Sequence, residues 1–100
     1  MRIFARNTLI GYWETYPIAE QPIKAWFKIA KNAKWKSHNE LKAQMRNASF
    51  INEKRVVFNI KGNDFRLVVD IEYKFGFIFV VWFVTHSEYS KLDIKELSYD

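Results

Sequence analysis

Hydrophobic spacing divides the chain into a helical first half and an extended second half. Ile23, Trp26, Phe27 and Ala30 fall at i, i+3, i+4 and i+7, the stripe of one buried helix face. Pro22, tolerated in a first helical turn, marks where this helix starts. Leu9, Ile10, Trp13 and Tyr16 keep helical spacing too, with Asn7 or Thr8 as the cap and Pro17 as the stop. Met1 to Ala5 reads as a short strand before them. Ser37-His38-Asn39-Glu40 has the form of a capping box and opens a short helix to about Arg46. Leu41 and Met45 would face inward, Lys42 and Arg46 outward, and His38 would lie at the surface.

From Arg55 the period changes to two. Val56, Phe58 and Ile60 alternate with Arg55, Val57, Asn59 and Lys61, and Phe65, Leu67, Val69, Ile71 and Tyr73 with Arg66, Val68, Asp70 and Glu72. A two-residue Gly62-Asn63 turn sets Ile60 opposite Phe65, Phe58 opposite Leu67 and Val56 opposite Val69. Asn59 then meets Arg66 and Arg55 meets Asp70, so like pairs with like. Lys74-Phe75 makes a second turn into a strand from about Gly76 to Thr85. In the simplest register Ile78, Val80, Trp82 and Val84 join the core, while Phe77, Phe79, Val81 and Phe83 face away. The tail from Ser87 reads as one helical turn followed by irregular chain. The order β-α-α-β-β-β predicts an α+β fold with helices on one face of a small, mostly antiparallel sheet. Its uncovered face would carry Arg55, Asn59, Lys61 and Arg66, with Phe83 alongside.

The 100 residues make one domain, and 49% hydrophobic content supports a packed core. The chain has no cysteine, which removes disulfides, cysteine nucleophiles and cysteine zinc sites. The first residues lack a signal-peptide pattern. The longest apolar run, Phe77 to Val84, is far short of the roughly 20 residues that span a bilayer. A cytoplasmic protein without membrane association is expected. The net charge of +5 is concentrated: residues 24–66 carry eleven Lys and Arg against Glu40, Glu53 and Asp64. Such a block inside a folded domain fits a polyanionic partner, or only a solvated helix face.

Cleaving RNA through its 2′-hydroxyl needs a proton acceptor, a proton donor, cations for the phosphorane and a splayed nucleotide. Asn59, Lys61, Arg66 and Arg55 share one face, and Thr85-His86 ends the last strand. Tyr89, three residues on, shares a side with His86 if a helical turn begins there. Singly, each has a structural explanation. Arg55 pairs with Asp70, Lys61 decorates a turn, His86 bonds locally and Tyr89 packs. No histidine spacing fits a metal site and no phosphate-binding glycine loop occurs, so neither a metal nor a cofactor is expected.

Val57-Phe58-Asn59-Ile60-Lys61-Gly62-Asn63 with Arg66-Leu67 resembles the V-F-N-x-x-G-N-x-x-R-L segment of the HigB toxins, and Thr85-His86-Ser87-Glu88-Tyr89 resembles their T-H-x-E-Y segment. Tyr16-Pro17, Ala19, Pro22, Trp26 and Ala33-Lys34-Trp35-Lys36-Ser37 extend the similarity over nearly the whole chain. Ser90 stands where many members have Asp, and Tyr16 where the family has His; neither change is expected to touch the active face. The resemblance implies a RelE-like ribonuclease fold, mRNA cleavage on the ribosome without a metal, and a 2′,3′-cyclic phosphate product. It also implies inhibition by a helix-turn-helix antitoxin of the HigA type. It assigns phosphate stabilisation to Lys61 and Arg66, nucleotide orientation or proton exchange to His86 and Tyr89, and support of Arg66 to Asn59. Lys24, Lys28, Lys31, Lys34, Lys36, Lys42, Arg46 and Arg55 would contact RNA, chiefly ribosomal phosphates. An RNA- or ribosome-binding module of the same fold without cleavage is the alternative. A DNA-binding subunit ranks below both, because no base-reading helix pattern is present.

Overall fold

A computed structural model of the protein describes residues 1–91. The order is β1 (Arg2–Phe4), α1 (Arg6–Thr15), a 3₁₀ turn (Pro17–Ala19), α2 (Glu20–Asn32), α3 (His38–Gln44), β2 (Ala48–Phe50), β3 (Arg55–Ile60), β4 (Phe65–Glu72), β5 (Phe77–Thr85) and α4 (His86–Tyr89). The strands form one mixed sheet in the order β1-β5-β4-β3-β2, with β1 parallel to β5 and the other pairs antiparallel. The α+β architecture expected from the sequence is present and is consistent with a RelE-like fold. No helix among the described residues is long and apolar enough to cross a membrane. The expected irregular end of the tail lies outside the described residues.

The helices cover one face of the sheet. Leu9, Ile23, Trp26, Ala30 and Leu41 meet Phe58, Leu67, Ile71 and Ile78 in one buried cluster. A fully buried side chain of this size contributes roughly 1.5–3 kcal/mol, so this seam dominates the energetics of the fold. The β3–β4 register is as the hairpin predicted, from Arg55 opposite Asp70 to Ile60 opposite Phe65. The turn between them is Lys61–Asp64, closed by the Asp64 N–H on the Lys61 carbonyl at 3.1 Å, with Gly62 at φ +62°. Glu72 pairs with Phe77, so the next turn takes four residues, Tyr73–Gly76.

Helix ends differ from expectation. Only Ala5 separates β1 from α1, so Ala5 is the cap and Asn7 and Thr8 lie inside the first turn. The 3₁₀ turn runs directly into α2, which starts at Glu20 rather than Pro22. Ser37 caps α3 by accepting the Glu40 N–H at 3.2 Å, but the Glu40 carboxylate accepts from Lys36 instead of Ser37. α3 stops at Gln44, two residues before Arg46. Strand β2 was not expected; three residues are too few for alternation to show. His38 is half-buried. Its ring stacks on Phe50, with centroids 4.2 Å apart, Nε2 donates to the Asn52 carbonyl at 2.9 Å, and Nδ1 meets the Tyr73 hydroxyl. That cluster ties α3 and β2 to the end of β4.

The largest correction concerns β5. Val68 pairs with Trp82 and Val69 with Val80, so Val81 is an extra residue and the strand bulges there. Past the bulge the alternation reverses. Phe83 is buried in the helix-side core, stacked on Tyr12 and Phe65, while Trp82 is 37% exposed on the other side. Phe83 therefore does not belong to the second face. That face is not open at its centre either: Val57, Val68 and Val81 form a second buried cluster, with Ile51 and Tyr89 packed against it.

Candidate functional site

Strand β4, the turn before it and helix α4 converge at one end of the sheet. Arg66 is only 8% exposed. Its Nη1 donates to the carbonyls of Asn63 at 3.0 Å and Phe65 at 3.1 Å. Its Nη2 donates to the Asn63 side-chain oxygen at 2.8 Å and to His86 Nδ1 at 2.8 Å. Four acceptors thus match the four N–H bonds on those two nitrogens, leaving Nε–H. A guanidinium can only donate, so His86 Nδ1 is the acceptor and the proton of the neutral ring sits on Nε2. The Arg66 cation also lies 5.7 Å from the centroid of the Tyr89 ring.

His86 is held from its backbone as well. Its N–H donates to the Asp64 carbonyl at 2.9 Å. Thr85 and Glu88 form a full capping box: the Glu88 N–H donates to the Thr85 hydroxyl at 3.2 Å, and Glu88 accepts from the Thr85 N–H and hydroxyl. Those two bonds from Thr85 hold the Glu88 carboxyl below its ordinary value, and the Tyr16 hydroxyl and Lys91 lower it further. Tyr16 also packs its ring on Phe65 at 5.1 Å. Tyr16, the position where the family carries His, thus sits beside the helix that begins at His86.

Lys61 takes φ +54° in the turn and is exposed, its ammonium 3.1 Å from Asp64. Asn59 lies opposite Arg66 in the register, but the Arg66 hydrogen bonds go to Asn63, Phe65 and His86. Asn63 thus stands in the supporting place expected of Asn59. Next to the Arg66–His86 pair is a shallow depression of about 480 Å³, lined by Ile18, Asn63, Asp64, Phe65, Thr85, His86 and Ser87. Asn63, Glu88 and Tyr16 stand in the quoted motifs but were given no role in the site from the sequence. The Thr85-x-x-Glu88 spacing is itself a capping signal and could have marked α4.

The expected RNA-contacting cations divide. Arg55 is 6% exposed and bonds both Asp70 oxygens, at 2.8 and 2.9 Å, so it is withdrawn from the RNA-facing set. Lys24 pairs with Glu20 at 2.6 Å and lies over Trp13, and Lys42 donates to the Ala48 carbonyl at 2.6 Å. Lys28, Lys31, Lys34, Lys36 and Arg46 are exposed. None of the block lines the Arg66–His86 depression. Lys28 and Lys34 line a separate open groove of about 660 Å³ between α2 and α3. Among the described residues no group of three or more His, Cys, Asp or Glu is placed to hold a metal ion.

Among curated proteins none matches the chain. The family model HigB_toxin, described as the RelE-like toxic component of a toxin-antitoxin system, matches residues 19–92. That stretch runs from the end of the 3₁₀ turn through α4 and includes the residues named around Arg66 and His86 except Tyr16 and Ile18. With the match covering most of its length, the chain belongs to the HigB family of RelE-like toxins, and its biological counterpart is an antitoxin.

Proposed function

We propose that the protein is a ribosome-dependent mRNA endoribonuclease that arrests translation until its antitoxin binds. The observation that carries this reading is the Arg66–His86 contact, 2.8 Å long, at the edge of a depression open to a large substrate. The 2′-hydroxyl attacks the adjacent phosphorus, the bond to the 5′-oxygen breaks, and a 2′,3′-cyclic phosphate remains. Arg66 and Lys61 offset the charge of the phosphorane. His86 presents Nε2–H to the phosphate, and Tyr89 orients the nucleotide. The proton leaving the 2′-hydroxyl and the proton reaching the 5′-oxygen pass through Lys61 and Tyr89, because His86 has its one lone pair engaged by Arg66 and keeps Nε2–H on the phosphate. The exposed cations of α2 and the segment after it hold ribosomal RNA phosphates, a contribution that weakens with salt.

The test is induced expression with mRNA ends mapped by primer extension. New ends and growth arrest are expected, both absent with folded Arg66→Ala and His86→Ala variants. Full toxicity in both variants would refute the site. Arrest without new mRNA ends would leave only a binding role on the ribosome.

A further inference from the structure

The turn between β4 and β5 displays a ring that the core does not use. Phe75 is 63% exposed, although phenylalanine is among the residues most often buried. The turn is pinned: Gly76 has φ +71°, its N–H donates to the Glu72 carbonyl at 2.9 Å, and its own carbonyl accepts the Arg2 N–H at 2.8 Å. Phe77 backs the exposed ring, with centroids 5.9 Å apart and planes 26° apart. Phe75 is thus a held platform rather than a loose side chain.

Cations surround it. Lys74 Nζ lies 5.6 Å from the Phe75 centroid. Lys34 and Lys36 share with Phe75 a shallow cleft of about 320 Å³. They flank Trp35, which is buried and bonded through its indole N–H to Gln44 at 2.8 Å, so alternation turns both lysines outward. All three lysines are exposed, and among the described residues none joins an ion pair. No acidic residue lines the cleft. An apolar partner would strip water from these lysines without replacing it. A single nucleic-acid strand offers a base face for the ring and phosphates for the cations.

We propose that this cleft binds a single-stranded RNA segment, Phe75 stacking on an unpaired base while Lys34, Lys36 and Lys74 contact the flanking phosphates. The choice of RNA over other single strands rests on the mRNA-cleaving reading. The site shares no residue with the Arg66–His86 depression.

The test is binding of a fluorescent 2′-O-methyl oligouridine of about ten nucleotides, a length within the usual range for one single-strand site, which cannot be cut through its 2′-oxygen. Phe75→Ala should weaken binding roughly 5- to 150-fold with an unchanged melting temperature, and Phe75→Trp should keep it. Each of Lys34→Ala, Lys36→Ala and Lys74→Ala should lower the slope of log affinity against log salt by roughly 0.7. Wild-type affinity in folded Phe75→Ala, or equal competition by duplex RNA, would overturn the proposal. So would a Phe75→Ala variant that loses its antitoxin but keeps the oligonucleotide. Binding through Phe75 by a protein that cuts no mRNA would uphold this site while refuting the cleavage reading.

Discussion

Arg66 donates to Nδ1 of His86 across 2.8 Å while its other terminal N–H bonds are occupied by Asn63 and Phe65. The arginine therefore acts on the histidine before any substrate arrives: it fixes which ring nitrogen carries the proton. Lysine cannot replace it, because one ammonium cannot span Asn63 and His86 with the planar fork that guanidinium supplies. Arg66→Lys is expected to lose roughly 10²–10³-fold in cleavage, the usual cost of removing a preorganised donor. Nitrogen NMR of the imidazole should show the Nε2–H tautomer in the wild type and a mixture in Arg66→Lys. A lysine variant with wild-type cleavage would show that charge alone suffices.

Arg55 and Asp70 form the buried pair of the second face, and that burial sets its energetics. Removing one partner breaks a bidentate ion pair inside the fold, so Asp70→Asn or Arg55→Met should destabilise the domain by roughly 3–5 kcal/mol. The double variant Arg55→Met with Asp70→Leu should recover most of the loss. Urea midpoints measure this directly. Any loss of toxicity in Arg55→Met should track the folded fraction, as expected of a structural residue. A stable Arg55→Met variant that failed to bind ribosomes would return Arg55 to the RNA-facing set.

Tyr73 carries the clearest pH signature. Burial pushes its hydroxyl up to about 12 from an ordinary value near 10. The folded state thus keeps the proton where the unfolded chain has lost it. Stability from this source is complete below pH about 10 and is lost as pH rises toward about 12. The hydroxyl also meets His38 Nδ1 in the cluster that ties down β2. Urea midpoints should fall across this window in the wild type and fall less in Tyr73→Phe. Parallel curves for the two proteins would rule the group out.

The β3–β4 hairpin, the α2 stripe and the Arg55–Asp70 pair were legible because each depends on neighbours in sequence or on one turn. Gly62-Asn63 sets a register, and register then decides the partners. What escaped depends on contacts that no local period records. β2 is three residues long and exists only because β3 offers it an edge. His38 looked like a helix cap's polar neighbour, yet Tyr73 and Asn52 come to it from elsewhere in the chain. Asn63 read as a turn former, and only the folded turn brings its amide to Arg66. Of the site residues, the motifs pointed to Arg66, His86 and Tyr89, which the fold brings together, and to Asn59, which it places beside them without a bond to Arg66.

Val81 sets the parity of everything after it. An uninterrupted alternation from Ile78 and Val80 would send Trp82 and Val84 toward the helices. The one additional residue moves Phe83 to that side instead, sets Val84 opposite Arg66, and delivers His86 to the arginine's side of the sheet. The address of His86 is thus counted from a point five residues upstream, by a side chain that does not line the depression. Removing Val81 would leave the composition of the site intact but return Trp82 and Val84 to the helix side, putting the strand end that leads into His86 out of step with Arg66.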